Sequence, residues 1–176
     1  GITATNGSPS RRANQASGIA VLAIARIEDA LPLCRALVDN GLPVLEITLR
    51  TACALDAIAL VARELPHACV GAGTVLSATD LANVSDAGAR FAISPGATDA
   101  LFDAAKASRT PLIPGLAPAS ELMRGMENGW RRFKFFPAES SGGIGALKGF
   151  GGPLPMARFC PTGGISAATA PEWLAL

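Results

Sequence analysis

The chain has 176 residues, 49% of them hydrophobic, 16% charged and 5% aromatic, with no tyrosine. Such a composition excludes global disorder, and the length suits one domain with a sizeable core. Fifteen Lys and Arg against fourteen Asp and Glu leave a net charge of +1, which gives no electrostatic reason to expect a nucleic acid or an anionic membrane as partner.

Residues 1–18, rich in Ser, Asn, Gly and Arg, read as a polar, irregular leader, and residues 19–176 as one folded domain. Ile19–Ala25 is the first apolar, strand-like run. Arg11-Arg12 ahead of it imitates a twin-arginine export signal, but Arg26, Glu28 and Asp29 stand where a small-residue cleavage site belongs. Ala30, Leu33, Cys34 and Leu37 then form a helical stripe that stops at Asn40-Gly41. Val44–Leu49 is the second strand, and Ala54, Leu55, Ile58 and Val61 form the stripe of a helix that ends before Pro66. Ala68–Ala72 is the third strand, with Gly71-Ala72-Gly73 read as a tight turn at its end, and Ser77–Ala87 the helix after it. Phe91–Ser94 leads to a helix over Asp99–Ala107, and Pro111–Ile113 to one over Ala119–Asn128. Arg132–Phe136 and Met156–Cys160 are the last two strands, and Pro171–Leu176 falls inside what reads as the helix of the seventh unit.

Strands and helices alternating at this short, uniform period predict parallel strands joined by right-handed crossovers. Two α/β architectures compete, an open doubly wound sheet and a closed (β/α)8 TIM-type barrel. The uniform period and the lack of a full G-x-G-x-x-G after the first strand favour the barrel. Only about seven βα units are visible, however, and the eighth strand is not supplied. Cys34, Cys53, Cys69 and Cys160 are scattered without a C-x-x-C pair, and His67 is the only histidine. This predicts neither a disulfide framework nor a metal site, and it fits a reducing, cytoplasmic setting. No apolar run reaches the roughly 18–20 residues a membrane-spanning helix needs.

Two strands hold charge where a covered parallel sheet should be dry. In Val44–Arg50, Leu45, Ile47 and Leu49 share one face, and Glu46, Thr48 and Arg50 the other. That second face points into the barrel, and its charges lie toward the carboxyl ends of the strands, where barrel active sites sit. A structural ion pair inside the barrel is the competing reading. The chain has three lysines against twelve arginines. Lys106 ends a helix and Lys148 lies in a glycine-rich loop, but Lys134 sits inside a strand among Phe133, Phe135 and Phe136. Burying an ammonium without purpose is costly. An amine nucleophile must be neutral, a form that apolar walls and Arg50 favour and Glu46 opposes. A lysine whose stem packs and whose head merely pairs with Glu46 is the alternative. After the last strand, Pro161-Thr162-Gly163-Gly164-Ile165-Ser166 offers backbone N–H groups to an anion at the place where barrels often bind phosphate, or else a tight turn with Ser166 capping the next helix. Pro95-Gly96, Pro114-Gly115 and Pro137 close strands at the same rim. His67 falls at the opposite rim and has no catalytic role.

VLEITLRT, VGAGTVL, FAISPG, PLIPG, FKFFPAE and RFCPTGGIS, in this order and spacing, closely resemble the 2-keto-3-deoxy-6-phosphogluconate (KDPG) aldolases, class I lyases of the Entner–Doudoroff pathway. The resemblance runs from about Ile19 to Leu176. It implies a cytoplasmic homotrimer of barrels that cleaves KDPG to pyruvate and glyceraldehyde 3-phosphate without a cofactor or metal, and that also accepts 4-hydroxy-2-oxoglutarate. By motif, Lys134 is the Schiff-base lysine and Glu46 the general acid/base. Arg50 and Thr74 hold the pyruvate carboxylate, Pro95 and Phe136 line the pocket, and Thr162, Gly163 and Gly164 meet the substrate phosphate. The family continues through an eighth strand and a terminal helix that have no counterpart here, so more chain is expected beyond Leu176. The sister 2-keto-3-deoxy-6-phosphogalactonate aldolase, or a non-catalytic, truncated phosphate-binding barrel, are the alternatives.

Overall fold

A computed structural model describes residues 18–176; residues 1–17 of the polar leader, Arg11-Arg12 among them, lie outside the described residues. The short apolar runs form eight parallel strands, β1 (Ala20–Leu22), β2 (Val44–Thr48), β3 (Cys69–Gly73), β4 (Ala92–Ile93), β5 (Leu112–Ile113), β6 (Gly115–Leu116), β7 (Arg132–Phe135) and β8 (Arg158–Pro161). Seven helices follow them, α1 (Ile27–Asp39), α2 (Ala54–Glu64), α3 (Ala78–Asp86), α4 (Asp99–Ala107), α5 (Ala119–Glu127), α6 (Gly143–Gly151) and α7 (Ala170–Leu174). Strands β1 to β5 pair in chain order, and so do β6 to β8.

The two groups are arcs of one barrel, because β5 and β6 are a single run bent at Pro114. Leu112 and Ile113 pair with β4, and two residues later Gly115 and Leu116 pair with β7. Proline lacks the N–H that a straight central strand would need, yet its carbonyl accepts from Lys134 N at 2.9 Å. Gly115 lies so close to the carbonyls of Ser94 and Pro95 that a β-carbon there would collide with them. Pro114-Gly115 therefore hands the strand from one arc to the other, and does not close it at the rim as expected. Counting that run once gives seven strand positions, with β1 and β8 outermost.

Burial follows the two faces of each strand. Leu45, Ile47, Val70, Ala72, Ala92 and Leu112 pack outward under Ala57, Ile58 and Val61 of α2, Leu81 and Val84 of α3 and Leu101 of α4. Val44, Cys69, Phe91 and Ile93, with Ile19 and Ile113, fill the barrel floor. Helices α3 and α4 start where side chains satisfy their open N–H groups. Ser77 accepts from Asp80 N at 3.0 Å while Asp80 accepts from Leu76 N at 2.9 Å, and Thr98 accepts from Leu101 N at 3.3 Å. No described helix is long and apolar enough to cross a membrane.

Two differences from the sequence reading lie in the second arc. Gly143–Gly151 is helical, so Lys148 stands on α6 and not in a loop. Leu147, Ile144 and Phe150 pack there against Phe135 and Trp173, and this apolar contact outweighs the poor helix propensity of glycine. Ser166 accepts from Thr169 N at 3.3 Å, which makes a turn, and α7 begins only at Ala170.

Helix α5 presses on β7 through Gly125. A β-carbon there would lie 2.7 Å from Phe133 Cε1 and 2.8 Å from Leu116 Cδ1. Gly→Ala in a helix usually stabilises by about 1 kcal/mol, but overpacking a closed core costs roughly 1–3 kcal/mol. Gly125→Ala is expected to lower stability by about 1 kcal/mol in urea unfolding. A gain would mean that the α5–β7 contact opens without cost.

Candidate active site

Glu46 is the third residue of β2, between Leu45 and Ile47, whose side chains are held under the helices. The pleat therefore turns Glu46 and Thr48 inward, where they are 2% and 1% exposed. Thr48 spends its hydroxyl on the Leu22 carbonyl of β1 at 2.9 Å. Lys134 is placed by the same alternation on β7. Phe133 and Phe135 are buried on the outer side, stacked edge-on or tilted with Phe159. Lys134, 7% exposed, points in and donates to Glu46 Oε1 at 3.4 Å. Its ammonium also lies 5.0 Å from the centre of the Phe136 ring, a cation–π distance.

Burial pushes the Glu46 carboxyl above the ordinary carboxylate range, while Lys134 and, more weakly, Arg50 pull it back. The result is a carboxyl poised to give and take a proton beside a lysine nitrogen. Arg50, just past β2, is exposed at the carboxyl-end rim, within electrostatic reach of Glu46. Thr74, the residue after β3, is half-buried and has a φ of 60°. That left-handed backbone is unusual for a β-branched residue and clusters at functional sites. Pro95 and Phe136 are both half-buried just past β4 and β7.

The Thr162-Gly163-Gly164 loop follows β8 at the same rim. Both glycines have positive φ, 103° and 81°, which glycine adopts without steric cost. Its carbonyls are tied to the loop after β7: Ala138 N donates to Thr162 O at 2.8 Å and Glu139 N to Gly163 O at 3.2 Å. His67 is exposed ahead of β3, at the opposite rim. Lys134 and Glu46 are thus in direct contact, and Arg50, Thr74, Pro95, Phe136 and the Thr162–Gly164 loop all lie at the strand ends on their side of the barrel.

Three residues at this site had not been singled out for it. Cys160 on β8 is the register partner of Lys134; burial and the charge of Glu46 hold its thiol up, while Lys134 and Thr162 pull it back. Gly71 and Gly73 do not form a tight turn but lie within β3, paired with Glu46 and Thr48. A β-carbon on Gly71 would strike the Phe91 ring, and one on Gly73 the Glu46 carboxyl. The available signal was parity, since both glycines alternate with the outward Val70 and Ala72.

A family model described as KDPG and KHG aldolase matches residues 10–176. The KHG/KDPG aldolase of Escherichia coli K12 is 54% identical over 158 residues, covering 90% of this chain and 74% of that protein. Among solved structures, a KDPG aldolase from Legionella pneumophila with pyruvate captured as a covalent carbinolamine superposes with a TM-score of 0.88 at 49% identity, over 90% of this chain and 77% of that one. The KDPG aldolase of Zymomonas mobilis ZM4, with 3-phosphoglycerate, superposes with a TM-score of 0.90 at 47% identity, over 94% and 78%.

Proposed function

We infer the activity from kinship: the chain belongs to the family of KDPG and KHG aldolases, and it is a lyase that cleaves 2-keto-3-deoxy-6-phosphogluconate to pyruvate and glyceraldehyde 3-phosphate. The observation that carries the mechanism is the buried Lys134 Nζ, 3.4 Å from Glu46 Oε1. The neutral amine attacks the C2 ketone, and Glu46 protonates the departing hydroxyl so that the carbinolamine loses water to an iminium. Removal of the C4 hydroxyl proton then breaks the C3–C4 bond. Its electron pair moves into the iminium, leaving an enamine on Lys134 and releasing the aldehyde. Proton return to C3 and hydrolysis free pyruvate and the lysine. Arg50, with its planar fork, suits the substrate carboxylate, and Thr74 lies beside the same rim. Pro95 and Phe136 wall the reacting carbons, and Thr162, Gly163 and Gly164 meet the phosphate.

The same reading extends to 4-hydroxy-2-oxoglutarate, which gives the identical enamine on cleavage. It places the catalytic domain at residues 19–176, working as a homotrimer in the cytoplasm, with the assembly open to light scattering. The central test is chemical trapping. Protein incubated with pyruvate and reduced with borohydride is expected to gain one reduced pyruvyl group on the Lys134 peptide in mass spectrometry. Well-folded protein without that gain would sink the Schiff-base assignment.

A further inference from the structure

We propose that Gly73 is a positioning residue for the acid/base: the side chain it lacks is the space the Glu46 carboxyl occupies. The proposal rests on the assignment of Glu46 as the proton-transfer group. A β-carbon at Gly73 would overlap Glu46 Oε1 and stand 2.8 Å from both Cδ and Cγ of the same side chain. The three nearest atoms thus all belong to Glu46.

The two backbones cannot part, so it is the Glu46 side chain that must turn. Gly73 is paired with Thr48 in the β2–β3 ladder, and its carbonyl accepts from Leu49 N at 2.9 Å. Glu46 lies in the same β2 strand, and its backbone is fixed between Val21 of β1 and Gly71 of β3. The oxygen that such a β-carbon would overlap, Oε1, is the same one that accepts from Lys134 at 3.4 Å, so a carboxyl turned away from Gly73 gives up its present contact with Lys134. Gly71 and Gly73 are therefore two layers of one device. The lower glycine admits an aromatic ring to the floor, and the upper one admits the carboxyl to the lysine.

The experiment is a coupled set of variants assayed for KDPG cleavage and for borohydride trapping of pyruvate. Gly73→Ala is expected to lower kcat about 10- to 100-fold, a typical share of a proton-transfer contribution, with KM changed less than about threefold and the Lys134 adduct still formed. In an E46Q background the same substitution should cost less than about twofold, because the group it displaces no longer transfers protons. Gly71→Ala, which strikes Phe91, should cost the same factor in both backgrounds. An unchanged kcat for G73A, or an equal loss with and without the carboxylate, overturns the proposal. If E46Q itself leaves kcat unchanged, the assignment of Glu46 has failed instead. Should G73A not fold, removing the opposing atoms with Glu46→Ala must restore folding; a double variant that stays unfolded also overturns it.

Discussion

Lys134→Met is expected to abolish KDPG cleavage, with kcat/KM down by ~10³-fold or more, the scale on which loss of a covalent nucleophile leaves only binding and electrostatic catalysis. The borohydride adduct with pyruvate should vanish with it. The pair is buried, Lys134 at 7% and Glu46 at 2% exposure, so the substitution also strands a carboxylate. Breaking a buried pair by removing one partner costs roughly 3–5 kcal/mol when the remaining charge has no other recourse. Here the remaining group can take up a proton. Burial already raises the Glu46 carboxyl and Lys134 is what chiefly lowers it, so the variant's carboxyl rises further. A carboxyl raised by folding binds more protons in the native than in the unfolded state. Stability therefore falls as pH climbs from about 4.3, the unfolded value, toward the folded one. The deficit of K134M against wild type should be small near pH 4 and grow toward pH 8 in urea unfolding. A deficit independent of pH would mean that Lys134 does not hold the Glu46 charge.

Much of this site could be read from order and spacing because it breaks a rule. Charged residues at alternate positions of an otherwise apolar strand, as in Glu46, and a lysine between phenylalanines, as in Lys134, cannot be hidden by any helical covering. The structure brings the two together across the barrel from residues 88 apart in sequence. Gly71 and Gly73 are not legible, for the opposite reason. A glycine has no side chain to reveal a direction, and what its absence admits comes from β2 and from Phe91 ahead of β4. Pro114-Gly115 looked like a strand terminator because local turn chemistry is identical for a stop and for a bend; only the pairing of Leu112 with Ala92 and of Gly115 with Lys134 tells them apart. Helix α6 is hidden in the sequence because Gly143, Gly145, Gly149 and Gly151 argue against a helix locally, whereas its apolar residues are recruited by Phe135 and Trp173.

Glu46→Gln separates the two members of the pair, since the amide keeps the shape of the side chain, its fit over Gly73 and an oxygen able to accept from Lys134. What it removes is the titratable proton. Carbinolamine dehydration, C–C cleavage and enamine protonation each move a proton, so kcat is expected to fall by about 10²- to 10⁴-fold. Lys134 still attacks, and the trapped pyruvate adduct should persist with slower formation. The pattern opposite to Lys134→Met, in which the adduct survives while turnover fails, assigns nucleophile and proton carrier to different residues. Stability supplies an independent check with a definite sign. In the wild type the raised Glu46 carboxyl makes its contribution less favourable as pH rises above the unfolded value, and an amide contributes no such slope. The stability of E46Q relative to wild type should therefore improve from pH 4 upward through the folded titration, read as the difference between their urea midpoints. An unaltered turnover rate would remove Glu46 from the mechanism, and a flat difference in midpoints would mean that its carboxyl is not raised by the barrel interior.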